Sequence, residues 1–164
     1  MKKLLVMLIS LVIILTACGG QETQTEVELA VFSSENGYEV SYPDYFSPAA
    51  LSSEIDFVIM DENTGSSVTV LTEDAALAED ITEESFCEEK LSDGMEIKIL
   101  SFEQKTLNEL PAYEITYKYN ESTVIEIVYT ASEHIYRATY TELPGTSDNM
   151  HNDMIAVISS LCER

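Results

Sequence analysis

Two histidines, three cysteines and 30 acidic residues are the side chains of this 164-residue chain best suited to chemistry. A zinc site needs three or four nitrogen, sulfur or carboxylate ligands within tetrahedral reach. His134 sits beside Glu133 in an expected hairpin turn, and His151 falls in the first turns of an expected helix near Asp148 and Asp153. Neither neighbourhood supplies a ligand set, so both are read as exposed histidines with no metal. The stretch "DENTGSS" (61–67) sets Asp61, Asn63 and Gly65 in the manner of a calcium loop. That loop needs glycine at its sixth position and glutamate at its twelfth. Here glycine is fifth and the twelfth residue is Thr72, so a hairpin turn is expected. The acidic run "EDITEESFCEE" (79–89) reads as a solvated helix face, with weak divalent-cation binding as the alternative. The chain contains no H-E-x-x-H, no G-x-S-x-G and no glycine-rich phosphate loop. The reading is non-enzymatic and without cofactor. An enzyme or enzyme accessory whose site is not legible locally, and a weak cation-binding surface protein, are the alternatives.

Cys18 offers a different chemistry. Met1, Lys2 and Lys3 precede a run from Leu4 to Leu15 in which Ser10 is the one polar residue. As a helix those residues would span about 18 Å, short of the roughly 30 Å hydrocarbon core. Length and flanks suit a secretory signal. Its end, Leu15-Thr16-Ala17-Cys18 followed by Gly19-Gly20, resembles the lipobox of bacterial lipoproteins. That resemblance implies cleavage after Ala17 and a diacylglyceryl group on the Cys18 sulfur. Two acyl chains, at about 0.8 kcal/mol per buried methylene, hold a protein on a membrane without a spanning segment. The expectation is signal peptide 1–17, lipidated Cys18 with a tether over 18–30, and one domain over 31–164. It places the domain on the extracytoplasmic face of the cell membrane.

Cleavage would remove Lys2 and Lys3 and leave six cationic residues against 30 acidic ones. So negative a chain lacks the basic patch that nucleic acid requires. The partners expected are the membrane, through the anchor, and an envelope protein or a small ligand. Gly19 to Ala30 ("GGQETQTEVELA") is acidic and aperiodic, as a tether should be. Cys87 and Cys162 then form an even pair in a compartment that permits disulfides. They are read either as a bridge or as two small buried hydrophobes.

Period-two alternation dominates the domain. It marks strands around Tyr38–Tyr42, 55–62, 67–73, 95–103, 112–119, 123–131 and 135–142, with turns at "NTGS", "YNES" and "SEH". Asp80 and Glu83 read as a capping box for a helix to about Ser92 that buries Phe86, Cys87 and Leu91. A second helix starts near Ser147, with a stripe of Met150, Met154, Val157, Ile158, Leu161 and Cys162. Tyr113, Tyr117 and Tyr119 share one strand face, and Tyr136 and Tyr140 another. If the faces coincide, the five tyrosines make one layer. That layer would be core, or the floor of a ligand or peptide groove.

"GYEVSYPDYF", "NELPAYEITYKY" and "DMIAVISSLC", in that order, resemble the PsbP-like family over about residues 36–163. A nuclear Ran-binding factor shares that fold. Tyr42-Pro43 match the family's opening, whereas Tyr45-Phe46 stand where a tryptophan is usual. Leu110-Pro111-Ala112-Tyr113 looks like its turn before a long strand. The resemblance implies an α+β fold, with a central antiparallel sheet of about six or seven strands flanked by helices in an α/β/α sandwich. It implies assembly or binding roles and transfers no catalytic residue. Pro43 cannot donate to a ladder and so ends its strand. Tyr45 and Phe46 then cap one end of the core or offer an aromatic contact.

Overall fold

Strands form where alternation is bounded by turn residues. The computed structural model describes residues 28–75 and 81–164. Its strands are β1 (Leu29–Ser33), β2 (Tyr38–Pro43), β3 (Phe57–Met60), β4 (Ser67–Asp74), β5 (Lys98–Leu107), β6 (Leu110–Tyr119), β7 (Ser122–Thr130), β8 (His134–Glu142) and β9 (Cys162–Glu163). The helices are α1 (Glu83–Ser92) and α2 (Asp148–Ser159). An antiparallel six-stranded sheet runs β3-β4-β8-β7-β6-β5, and a three-stranded sheet runs β1-β2-β9. The α+β class and the central antiparallel sheet are as expected. The signal, Cys18 and residues 18–27 of the tether lie outside the described residues.

The large sheet has two covered faces. On β7, Ile127 and Tyr129 face α2, while Val124 and Val128 face α1. The α2 side holds Met154, Val157 and Ile158 against Phe57, Val68, Val70, Ala138 and Tyr140, with Tyr38 and Val40 of the small sheet. The α1 side is thinner: Phe86 is its one fully buried helical apolar residue, packed with Ile115, Tyr117, Val124, Val128 and Ile135. Asp56 ties the small sheet to the loop before β3. It accepts hydrogen bonds from Ser34 Oγ, Tyr38 Oη and, at 3.2 Å, Asn36 Nδ2.

Four local expectations are corrected. β1 begins at Leu29, inside the stretch read as tether. Its sequence hides it, because Leu29 and Val31 point outward while Phe32 packs on Phe57 with ring centroids 5.2 Å apart. Both sides are apolar, so no alternation shows. The cap of α1 is Thr82, whose side chain accepts from Ser85 N while Ser85 Oγ accepts from Thr82 N. The expected cap, Asp80, lies outside the described residues. α1 buries Phe86 and Lys90 rather than Leu91, which is 64% exposed. Lys90 turns inward because a buried carboxylate awaits it on the sheet. At α2, Ser147 accepts from Met150 N as the N-cap, and Leu161 and Cys162 fall beyond the helix end. In the turn before β4, Asp61 accepts from Asn63 N and Thr64 Oγ1, which holds its carboxyl below the usual range.

Candidate functional site

Charged residues sit in the middle of two apolar strands. Glu126 interrupts "TVIEIVYT" on β7, and Arg137 interrupts "IYRATY" on β8. Both face α1, and Glu126 is 1% exposed. An unpaired charge there would cost several kcal/mol. Arg137 Nη1 lies 2.9 Å from Glu126 Oε1, Nη2 lies 2.7 Å from Glu89 Oε2, and Nε lies 2.7 Å from Glu73 Oε2. Lys90 Nζ lies 3.0 Å from Glu126 Oε2 and 4.8 Å above the Phe86 ring. Tyr117 donates to the same Glu126 oxygen at 3.3 Å. Three carboxylates thus meet two cations, and the cluster carries one net negative charge. Burial works against the charged form of Arg137, but the Glu73 hydrogen bond and the surrounding carboxylates outweigh it and raise its pKa. Burial, then the Glu126 charge, pushes the Tyr117 phenol well above its ordinary value.

The cluster forms one wall of a groove. Among the described residues α1 packs over β6, β7 and part of β8, through Ile135 and Arg137, and leaves β4 open beside it. The groove there is about 810 Å³, with Leu71, Ile81 and Ile135 as apolar lining and Glu54, Glu73 and Glu88 among its carboxylates. Arg137 lines it too, but each guanidinium nitrogen is already taken by a carboxylate. Among the described residues the groove therefore has no free anion hook. Apolar walls with carboxylate rims suit a ligand that is apolar in part and cationic in part.

The five tyrosines do not share a floor. Register pairs Tyr113 with Val128, and Val128 with Arg137, so odd-numbered residues of β6 and β8 share the α1 face. Tyr113, Tyr117 and Tyr119 lie on that face, whereas Tyr136 and Tyr140 lie on the α2 face. Tyr117 meets Phe86 edge-on at 5.6 Å, and Tyr113 packs on Phe102 at 5.7 Å. Tyr136 is fully buried and donates to Asn36 O at 3.1 Å. Tyr140 is also fully buried, and burial, then Glu142, pushes its phenol up to about 12. The five tyrosines form no single layer, and none of them lines the groove.

Cys87 and Cys162 are both free thiols. One is on α1 and the other on β9, and no bridge joins them in this structure. His134 begins β8, and its ring lies 5.9 Å from that of Tyr136. His151 Nδ1 lies 3.1 Å from Glu142 Oε2 of β8. Among the described residues no group of three or more His, Cys, Asp or Glu is placed to hold a metal ion. Tyr45 is 54% exposed and donates to Asp153 at 2.7 Å, while Phe46 packs on the core. Thus Phe46 caps and Tyr45 is rim. Arg137, Glu126 and Lys90 were missed by the sequence reading. The available signal was a charge at the centre of an apolar strand.

No family model and no curated protein matches the chain by sequence. Among solved structures it is similar to cyanobacterial PsbP (CyanoP) from Synechocystis sp. PCC 6803, with a TM-score of 0.62 at 16% identity over 92% of this chain and 99% of that one. It is also similar to PA94, a protein of unknown function from Pseudomonas aeruginosa, with a TM-score of 0.50 at 10% identity over 83% of this chain and 97% of that one. The six-stranded antiparallel sheet, its small companion sheet and the two helices are therefore a PsbP-like fold.

Proposed function

We propose that this protein is a lipid-anchored extracytoplasmic lipoprotein whose domain has a non-enzymatic binding or assembly role toward an envelope protein or a small ligand. Two features support the reading from different ends of the chain. Leu15-Thr16-Ala17-Cys18 after a short apolar run supplies the anchor. Among the described residues no helix is long and apolar enough to cross a membrane. The observation that carries the binding role is the open groove beside α1, apolar in its walls and acidic at its rim. The cluster at its wall joins β4, β7, β8 and α1 through Glu73, Glu126, Arg137 and Glu89, which keeps the groove's shape. Its arginine is neutralised, so the role left to it is support rather than proton transfer.

The two halves are tested separately. Radiolabelled palmitate should appear on the product and remain with membranes, and Cys18→Ser should lose the label and fractionate as soluble. A labelled Cys18→Ser variant would end the anchor reading. Capture from detergent-solubilised envelope should return a partner, and Glu88→Lys at the groove rim should weaken that capture. Capture of the bait alone would count against the binding role.

A further inference from the structure

Four strands form the outer edges of the two sheets, and three are guarded. β3 is four residues long, and Ala49 bridges Val58 on its outer side with N···O distances of 2.9 and 2.8 Å. β5 carries Lys98, Glu103 and Lys105 and breaks register between Ile99 and Ser101. β9 is two residues long. Cover, charge, bulges and brevity are the devices that keep sheet edges from pairing with other chains. Among the described residues β1 has none of them. Its residues LAVFS contain no charge and no proline, its register with β2 is unbroken, and β2 is the one described strand bonded to it.

The register also fixes where its backbone groups point. Residues of an antiparallel pair alternate between exchanging both hydrogen bonds and exchanging neither. Asp44 N donates to Glu28 O, and Ser34 N donates to Tyr38 O, each at 2.9 Å. Both contacts lie on the β1–β2 register, so Ala30 and Phe32 bond inward. Leu29, Val31 and Ser33 therefore aim their N–H and C=O groups at the open side. Leu29 and Val31 also present their side chains to solvent, at 63% and 58% exposure.

We propose that β1 is a strand-addition site that takes an extended segment of a partner protein carrying basic residues at its ends. Main-chain hydrogen bonds to Leu29, Val31 and Ser33 would supply affinity, and alternate side chains of the segment would cover Leu29 and Val31. Charge selects the partner. The exposed carboxylates of Glu28 and Glu35 flank the strand at its two ends. A second copy is a poor occupant. Antiparallel pairing about Val31 would set Glu28 of one copy beside Ser34 and Glu35 of the other, and each chain carries a net charge of −22. The site lies apart from the groove and does not depend on the anchor.

The probe is a capped heptapeptide of sequence lysine–valine–threonine–valine–threonine–valine–lysine, with a glutamate-flanked counterpart, added to the full chain in detergent. The lysine peptide should slow amide exchange at Leu29, Val31 and Ser33. Val31→Pro removes an outward donor and no β1–β2 bond, and should weaken binding about tenfold, the equivalent of one hydrogen bond. Val31→Lys, which guards the edge with a charge, should weaken it as well. Unchanged melting of either variant shows that the fold is intact. The glutamate peptide should bind more weakly, most clearly at low salt. Absence of binding at millimolar peptide, or equal affinity in both variants, would overturn the proposal. A dimer in sedimentation that Val31→Lys abolishes would overturn it in favour of a second copy.

Discussion

At the scale of the residue, Arg137 governs the α1 face. It meets Glu73, Glu89 and Glu126, of which Glu126 is fully buried. Removing one partner from a buried ion pair costs about 3–5 kcal/mol, because the other charge is left without compensation. Arg137→Met should therefore lower stability by that amount in urea unfolding. Replacing all three buried charges, Arg137→Met with Glu126→Met and Lys90→Met, should recover most of the loss, since no buried charge is then left without its partner. A triple variant less stable than the single one would mean that the cluster contributes net stability beyond compensating itself. Glu126 and Arg137 were visible in the sequence as charges inside apolar strands. Their meeting was not, because it depends on β7 lying beside β8 and on α1 folding over both.

At the scale of the element, the β5–β6 hairpin is the most strained turn. Asn108 and Glu109 both have positive φ, 50° and 69°. This is the geometry of a tight two-residue hairpin, which favours Asn-Gly. Asn108 tolerates it and adds tertiary bonds: its Nδ2 donates to Ser159 O at 3.0 Å and to Leu161 O at 2.7 Å, pinning the end of α2. Glu109 has no such compensation, and a left-handed non-glycine residue costs about 1–2 kcal/mol. Glu109→Gly should stabilise the protein by about 0.5–1 kcal/mol after the added chain entropy of glycine, read as a raised denaturation midpoint. A lowered midpoint would show that the Glu109 side chain makes a contact outweighing the strain. β6, β7 and β8 were legible because each packs both faces in register with its neighbours. β1 was not, because an edge strand with an apolar exposed side has no alternation. The α1 boundary was misread because Thr82-Ser85 and Asp80-Glu83 offer the same chemistry two residues apart, and the cap actually used depends on the path of the chain into the helix.

At the scale of the whole molecule, buried phenols dictate a response to alkali. Burial is the largest cause raising Tyr38, Tyr117, Tyr129 and Tyr140, the last to about 12. An unfolded tyrosine titrates near pH 10. Between pH 10 and about 12 the native state thus holds protons that the unfolded chain has released, and stability falls as pH rises. Lys105, raised by its hydrogen bond to Glu114, has the same sign. The contribution is complete below pH 10 and is lost as pH rises towards the Tyr140 value of about 12. The urea midpoint should be level to pH 9 and drop steeply by pH 12, with phenolate absorbance rising in step with unfolding. A midpoint level to pH 12 would refute it.

The sequence by itself determined the α+β class, the antiparallel pairing, most of the strands and the second helix, but not the strand order, in which β4 lies beside β8. These follow from side-chain periodicity and turn chemistry, which are local. It also determined the expectation of an anchor at Cys18, since a lipobox is read as a linear pattern. The tertiary structure alone decided which charges meet, that the tyrosines divide between two faces, and that among the described residues β1 is an edge strand. Each of these depends on register and on which element covers which face. One residue of strand parity moves a side chain to the other side of a sheet, and no local pattern records that.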